Sequence, residues 1–162
     1  MYYTLFDTPL CEIILAGDNK GLAHLHLNTG EGRRQCIQVE NWTLNPDYFS
    51  DIQIQIMEYL DGRRQSFDVT LNPAGTPFQK MVWRQLLRIP YGQLVCYADI
   101  AKKLGNPNAS RAVGVANSNN PIPLIIPCHR VVRADGGLGG FAHGLSIKEQ
   151  LIALEKTSVL LA

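Results

Sequence analysis

Three prolines fall within the seven residues Pro121-Ile-Pro-Leu-Ile-Ile-Pro127, and no other stretch limits the fold as tightly. Proline has no N–H to give to a helix or a central strand, so this apolar run must be irregular backbone. It leads straight into Cys128-His129-Arg130, and the glycine-rich segment Gly136 to Gly144 follows. Prolines thus deliver a thiol and an adjacent imidazole into a turn, which reads as a reactive site. A thiol at its reference pKa of about 8.5 is only ~3% thiolate at pH 7, so a nucleophilic role needs a base or a positive field. His129 could help supply either. Neighbouring side chains in a turn diverge, so a bridging water between Cys128 and His129 is expected rather than direct contact.

The first 72 residues read as a lobe of strands. Tyr2 to Phe6, Cys11 to Ala16 and Leu22 to Leu27 are short apolar or alternating runs, separated by the turn chemistry of Thr8-Pro9 and Gly17-Asp-Asn-Lys-Gly21. Antiparallel hairpins are expected, with a polar loop over residues 28–35. Phe49, Ile52, Ile56, Met57 and Leu60 recur at helical spacing over Asp47 to Leu60, and Asp61-Gly62 ends the run. Phe67 to Leu71 reads as one more strand. Nothing in this lobe suggests chemistry, so it is taken as structural.

Asn72-Pro-Ala-Gly75 marks a boundary, giving residues 1–72 and 73–162 as the two units. Thr76-Pro77-Phe78-Gln79 is a capping box with proline at the first helical position, opening a helix up to Arg88. A short helix from Tyr97 to Leu104 meets Gly105, and a second is expected from Asn106-Pro107 towards Asn117. Two short helices on a glycine turn are either a nucleic-acid-binding pair or a plain packing unit. Ala109, Ser110 and Ala112 lack bulk around Arg111, so that arginine either projects as an inserting side chain or is simply solvated. Ser146-Ile-Lys-Glu149 reads as another capping box, and its helix places Glu155 in the last turn. A glutamate there opposes the helix dipole, which points to a partner, with His129 as candidate, or to a solvent-exposed carboxylate.

Charge supports the division. Residues 1–72 carry five Lys/Arg against ten Asp/Glu, and residues 73–162 carry ten against four. A basic second half suits a polyanion, although faces of opposite charge could equally differ by lobe. No apolar run approaches the ~18 residues of a membrane span, and no signal pattern opens the chain, so a cytoplasmic protein is expected. Cys11, Cys36 and Cys96 form no Cys-x-x-Cys pair and read as small buried hydrophobes. His24 and His26 alternate along one strand, unlike zinc ligands, so no metal is expected.

Pro127-Cys-His-Arg-Val131 preceded by Asn120-Pro121, with Arg111-Ala-Val-Gly114 upstream and Gly140-Phe-Ala-His-Gly-Leu145 downstream, resembles the O6-alkylguanine-DNA alkyltransferase family. The resemblance covers roughly residues 76–156, and the order and spacing of several motifs carry it. It implies an α+β fold: a small N-terminal antiparallel sheet lobe with a helix, RNase H-like, followed by a mostly helical domain with a helix-turn-helix. It implies direct-reversal repair, in which a flipped guanine, or O4 of thymine, gives its alkyl group irreversibly to Cys128. His129, acting through water and oriented by Glu155, would move the proton, and Asn120 would brace the turn. Tyr97 would press on the flipped nucleotide's phosphate, while Arg111, flanked by Ala109, Ser110 and Ala112, would fill the stack from the minor groove. Val131, Phe141, Ala142 and His143 would form the pocket, with His143 at its rim disfavouring large alkyl groups. Many members carry tyrosine where Phe141 stands, a glycine at His143, and serine or threonine at Cys96. The resemblance implies no cofactor, a monomer, double-stranded DNA as partner, no membrane, and association with the nucleoid in a prokaryote.

Three other readings remain open. A sensor that binds the lesion without accepting the alkyl group would carry another residue, often tryptophan, in place of Cys128. A transcription regulator would use the helix pair but leave Cys128, His129 and Glu155 unexplained. A cysteine hydrolase would turn over repeatedly on an ester or amide.

Overall fold

The computed structural model describes residues 1–32 and 39–161. Cys36 and the last part of the loop expected over 28–35 lie outside them. Strands β1 (Tyr2–Asp7), β2 (Glu12–Asp18) and β3 (Gly21–Asn28) form the expected antiparallel meander, in register at Leu5 with Ile14 and Leu15 with Leu25. The first turn closes because Thr8 Oγ1 accepts from the amides of Leu10 and Cys11 at 3.2 and 3.1 Å. The sheet is mixed rather than purely antiparallel, since β4 (Thr43–Leu44) pairs parallel to β1. The chain from β3 to β4 is long enough to cross over, and a two-residue strand leaves no period to read.

Phe67 to Leu71 is not a strand. It is an extended segment joined to β3 at one point, with Leu22 N–H donating to Thr70 O at 2.9 Å and Asn72 N–H to Leu22 O at 2.8 Å. Pro73 then prevents the ladder from continuing. The helix expected from Asp47 begins as a short 3₁₀ turn at Pro46–Phe49, with the Asn45 side chain capping Tyr48 N, and becomes α1 at Ser50–Leu60. Its inner face carries Phe49 from the turn, Ile56 and Tyr59, all buried.

Helix α2 (Pro77–Leu86) starts on the capping box read in the sequence, with Gln79 N–H to Thr76 Oγ1 at 3.1 Å and Thr76 N–H to Gln79 Oε1 at 3.0 Å. Two-residue β5 (Val95–Cys96) leads into α3 (Tyr97–Lys103), and Gly105 turns the chain with φ 78°. Helix α4 covers Ser110–Ser118 and does not start at Asn106. Asn106 and its neighbours are spent on the turn, with Asn106 N–H donating to Ala101 O and Ala109 N–H to Asn106 O. Strand β6 (Val131–Val132) pairs parallel with β5, and α5 runs Leu145–Leu161.

Two expectations about α5 fail together. The helix already includes Leu145, so Ser146 is inside it, where its Oγ takes a hydrogen bond from Gln150 Nε2 at 3.2 Å instead of capping. The helix also outruns the expected end, so Glu155 lies well inside it and the dipole argument does not apply.

The apolar core is continuous. Ile13, Leu15 and Leu25 of the sheet meet Phe49 and Ile56, then Val82, Leu86, Ile100 and Val113 of the helices. The proline run fills the space between, with Ile122, Leu124 and Ile126 nearly inaccessible to solvent. Leu25 N–H donates to Pro121 O at 2.9 Å, tying β3 to the run. Leu124 is held at φ 71°, a conformation costing roughly 1–2 kcal/mol, which burial of its side chain at about 2–3 kcal/mol offsets.

Candidate active site

After Pro127 the chain makes one 3₁₀ turn, Cys128–Arg130. Asn120 fixes its approach, donating from Nδ2 to Ile126 O at 2.8 Å and accepting from Ile122 N–H at 3.0 Å. Asn117 of α4 holds the turn itself through Nδ2 to Cys128 O at 3.3 Å. Cys128 is buried, 4% exposed.

His129 points away from the thiol's neighbours towards α5. Its Nε2 lies 2.6 Å from Glu155 Oε2, so the partner suspected in the sequence is present, though for a different reason. Glu155 also accepts from Tyr59 Oη at 2.6 Å, from Arg130 Nε and Nη2 at 2.8 and 3.0 Å, and from Gly92 N–H at 3.1 Å. Burial alone would raise its pKa, but the hydrogen bonds from His129, Arg130 and Tyr59 outweigh it and hold the carboxyl well below the usual range. Glu155 is therefore an anion, and an anion only accepts. His129 Nε2 must carry the proton, which makes Nδ1 the ring's acceptor, and among the described residues nothing donates to it.

Burial lowers the His129 pKa more than Glu155 raises it, and Arg130 and Lys148 add to the lowering, so the imidazole is neutral. Tyr59 is pushed well above its ordinary value by burial and by the Glu155 charge, so it remains a donor. Arg130 completes the cluster from the other side, donating Nη1 to Ile89 O at 2.7 Å and lying 5.6 Å from the centre of the Tyr91 ring.

The positive field at the thiol has a source that the sequence did not suggest. Lys148 is completely buried, and its ammonium donates to Val131 O at 2.7 Å, to Gly140 O at 3.2 Å and to Leu138 O. Burial lowers its pKa to about 8, while interaction with Cys128 works in the opposite sense. Lys148 thus ties the glycine loop to α5 and places a cation near the sulfur.

Between α3, α4 and the glycine loop a cleft of about 520 Å³ is lined by Tyr97, Ser110, Arg111, Gly114, Arg133 and Gly139 among others. Arg111 and Ala112 are exposed on α4, and Ser110 is half-buried. Ala109 belongs instead to the core, at 9% exposure, because it precedes α4 and faces inward. Tyr97 opens α3, and burial raises its pKa against a hydrogen bond with the Gly140 backbone. Gly139, at φ 74°, passes so close that a Cβ there would lie 2.5 Å from Tyr97 Oη. Cys96 replaces the hydroxyl cap of α3 with a thiol donating to Asp99 Oδ2 at 3.1 Å, while its N–H donates to the same oxygen at 2.9 Å.

Val131 of β6 and Phe141 and Ala142 of the loop are buried, and the Val131 carbonyl already accepts from Lys148. His143 is not at a rim. It is 2% exposed, with its ring 5.4 Å from that of His26 on β3 and 5.7 Å from that of Phe141.

Sequence reading missed roles for Tyr59, Arg130, Lys148, Asn117 and Arg133. One signal was available: Lys148 and Glu155 keep the three- and four-residue spacing of Leu151 and Ile152, so they share the buried face of α5. Tyr59 looked like any core residue of α1. Among the described residues no three metal-binding side chains gather, and no helix is long and apolar enough to cross a membrane.

Comparison with known proteins covers both halves. Residues 77–157 match the 6-O-methylguanine DNA methyltransferase DNA binding domain, and residues 1–73 match the ribonuclease-like domain of the same name. A methylated-DNA--protein-cysteine methyltransferase of Methanosarcina acetivorans is 48% identical over 96% of this chain and 98% of its own. One of Mycobacterium tuberculosis is 42% identical over 97% and 93%. The structure of Mycobacterium tuberculosis OGT in complex with DNA superposes with a TM-score of 0.91 at 40% identity, covering 98% of this chain and 94% of that one. Both halves are thus matched in one order by full-length relatives, and the chain belongs to the 6-O-methylguanine DNA methyltransferase family.

Proposed function

We propose that this protein repairs DNA by direct reversal, taking the methyl group from O6 of guanine onto Cys128 in one irreversible displacement. The observation that carries the reading is a buried thiol, Cys128, followed directly by His129, a buried neutral imidazole backed by Glu155, a carboxylate held as an anion. His129 Nδ1 takes the thiol proton through water, and the imidazolium that forms is stabilised by Glu155. Lys148 lowers the energy of the thiolate.

The sulfur then attacks the alkyl carbon. A carbon–sulfur bond forms, the carbon–O6 bond breaks, and its electron pair stays on the guanine, which recovers the proton from His129. A thioether is not a leaving group for water, so each molecule reacts once. Asn120 and Asn117 hold the turn while the bond forms.

DNA is the partner, and double-stranded DNA approached from the minor groove fits the small-residue face of α4. Arg111 fills the stack vacated by the flipped nucleotide and Tyr97 presses on its phosphate. Flipping costs a few kcal/mol, least where pairing is already weakened. Residues 73–162 carry the chemistry as a monomer, with residues 1–72 as support.

The test is mass spectrometry after mixing the protein with excess duplex containing O6-methylguanine. One methyl group on the Cys128 peptide, never more than one per molecule, and none in Cys128→Ala, is the expected result. Tight lesion binding without a mass gain would favour a sensor, and repeated turnover on esters would favour a hydrolase.

A further inference from the structure

The loop carrying Phe141 and Ala142 joins β6 to α5, and glycines at 136, 137, 139, 140 and 144 give it little stiffness of its own. Lys148 holds it at Leu138 and Gly140. Beyond Gly140 it is also tied to the sheet lobe. Thr29, just after β3, donates its Oγ1 hydroxyl to His143 O at 2.9 Å, and Thr29 Oγ1 in turn accepts from Glu31 N–H at 3.1 Å. Three residues after Thr29, Gly32 at φ 75° passes so near that a Cβ would lie 2.3 Å from Ala142 O and 2.6 Å from Gly144 N. A Cβ on Gly144 would in turn come within 3.0 Å of Glu31 Oε2. The side chains continue the contact, since His26 of β3 meets His143 edge-on and His143 meets Phe141.

We propose that the turn Thr29–Gly32, together with His26, is a brace that sets the position of the Phe141–Ala142 wall and hence which alkyl groups the pocket accepts. The proposal rests on the alkyl-transfer reading above. It makes Thr29 and His26 positioning residues that touch neither DNA nor the reacting atoms. It also gives the first lobe a function: a wall on a glycine loop can drift, and a misplacement of about 1 Å is enough to slow a displacement strongly. Because Phe141 reaches the sheet through His143, its place is fixed by β3, an element inside the core.

Thr29→Val removes the hydroxyl at constant shape, Thr29→Ser keeps it, and Gly32→Ala pushes on the wall from the other end. Hydrogen exchange of the peptide spanning 141–144 and single-turnover transfer from duplexes containing O6-methylguanine or O6-benzylguanine are the readouts. Thr29→Val is expected to speed exchange about fivefold, the loss of one hydrogen bond. In Thr29→Val and in Gly32→Ala the benzyl-to-methyl rate ratio is expected to change about threefold or more, with duplex affinity unchanged. Thr29→Ser is expected to behave as the parent. A merely structural role would lower both rates together, so an unchanged ratio in both variants, or unchanged exchange in Thr29→Val, overturns the brace. A parent protein that takes no alkyl group from either duplex, with its 141–144 exchange still responding to Thr29→Val, overturns the alkyl-transfer reading and leaves the brace as a structural tie alone.

Discussion

Glu155 Oε2 holds His129 Nε2 at 2.6 Å from well inside α5, away from either end of that helix. The carboxylate is kept ionised by Arg130, Tyr59 and Gly92, which spares His129 from becoming the cation of a simple ion pair.

Glu155→Gln leaves the Arg130 guanidinium buried without its counter-charge. Removing one partner of such a pair costs about 3–5 kcal/mol, far more than a surface pair would. Urea unfolding is expected to show a loss of that size, and the alkyl-transfer rate is expected to fall with it. A change below about 1 kcal/mol would mean that Arg130 is neutralised elsewhere.

Stability is expected to fall on acidification in two stages. The unfolded chain protonates His129 near its ordinary value of 6.5, while the folded chain does not, so the unfolded state binds more protons and loses less as pH drops. Below 4.5 the same inequality holds for Glu155, whose folded pKa is depressed. Urea midpoints measured down through these windows should decline in both. His129→Gln is expected to flatten the first stage only.

Lys148 carries the same sign at the alkaline end. Its folded pKa of about 8 lies below the ordinary 10.5, so between those values the unfolded chain holds the proton that the folded one has released. Stability contributed by this group therefore rises with pH across that window, and Lys148→Met is expected to remove the rise in urea midpoint.

Gly139→Ala puts a methyl group where Tyr97 Oη now lies and asks for φ 74° from an alanine. The strain is about 1–2 kcal/mol, which a stable core tolerates. Displacing Tyr97 is expected to weaken capture of the flipped nucleotide about tenfold, by its contact to the phosphate. Fluorescence titration with lesion and undamaged duplexes checks this; equal loss on both would place Tyr97 outside the flipping step.

Arg133 lines the cleft and is joined at 2.8 Å to Asp135, with both side chains more than half exposed. Such a pair exchanges readily for a phosphate. Arg133→Ala is expected to lower the salt slope of duplex binding by about one, and an unchanged slope would show that the cation faces solvent in the complex.

The sequence alone determined what is local or repeated in the chain. Strand alternation gave β1, β2 and β3, Thr76 and Gln79 gave the start of α2, and Pro127-Cys-His-Arg130 gave the turn that carries Cys128, because each depends on residues within a few positions of one another. It misjudged Phe67 to Leu71, the start of α4 and the length of α5, where a single bridge, a spent turn or a continuing buried face overruled the local pattern.

Only the tertiary structure decided the environment of the site. Glu155 is an anion because Tyr59, Gly92 and Arg130 converge on it from α1, the loop before β5 and the turn after Pro127. Lys148 stays buried near the thiol because three carbonyls, one from β6 and two from the glycine loop, replace its water. His143 was expected at a rim and is packed beneath Phe141 against His26 instead. Burial and charge are sums over neighbours brought together from distant parts of the chain, so they are properties of the packed core and have no period or spacing by which a sequence could show them.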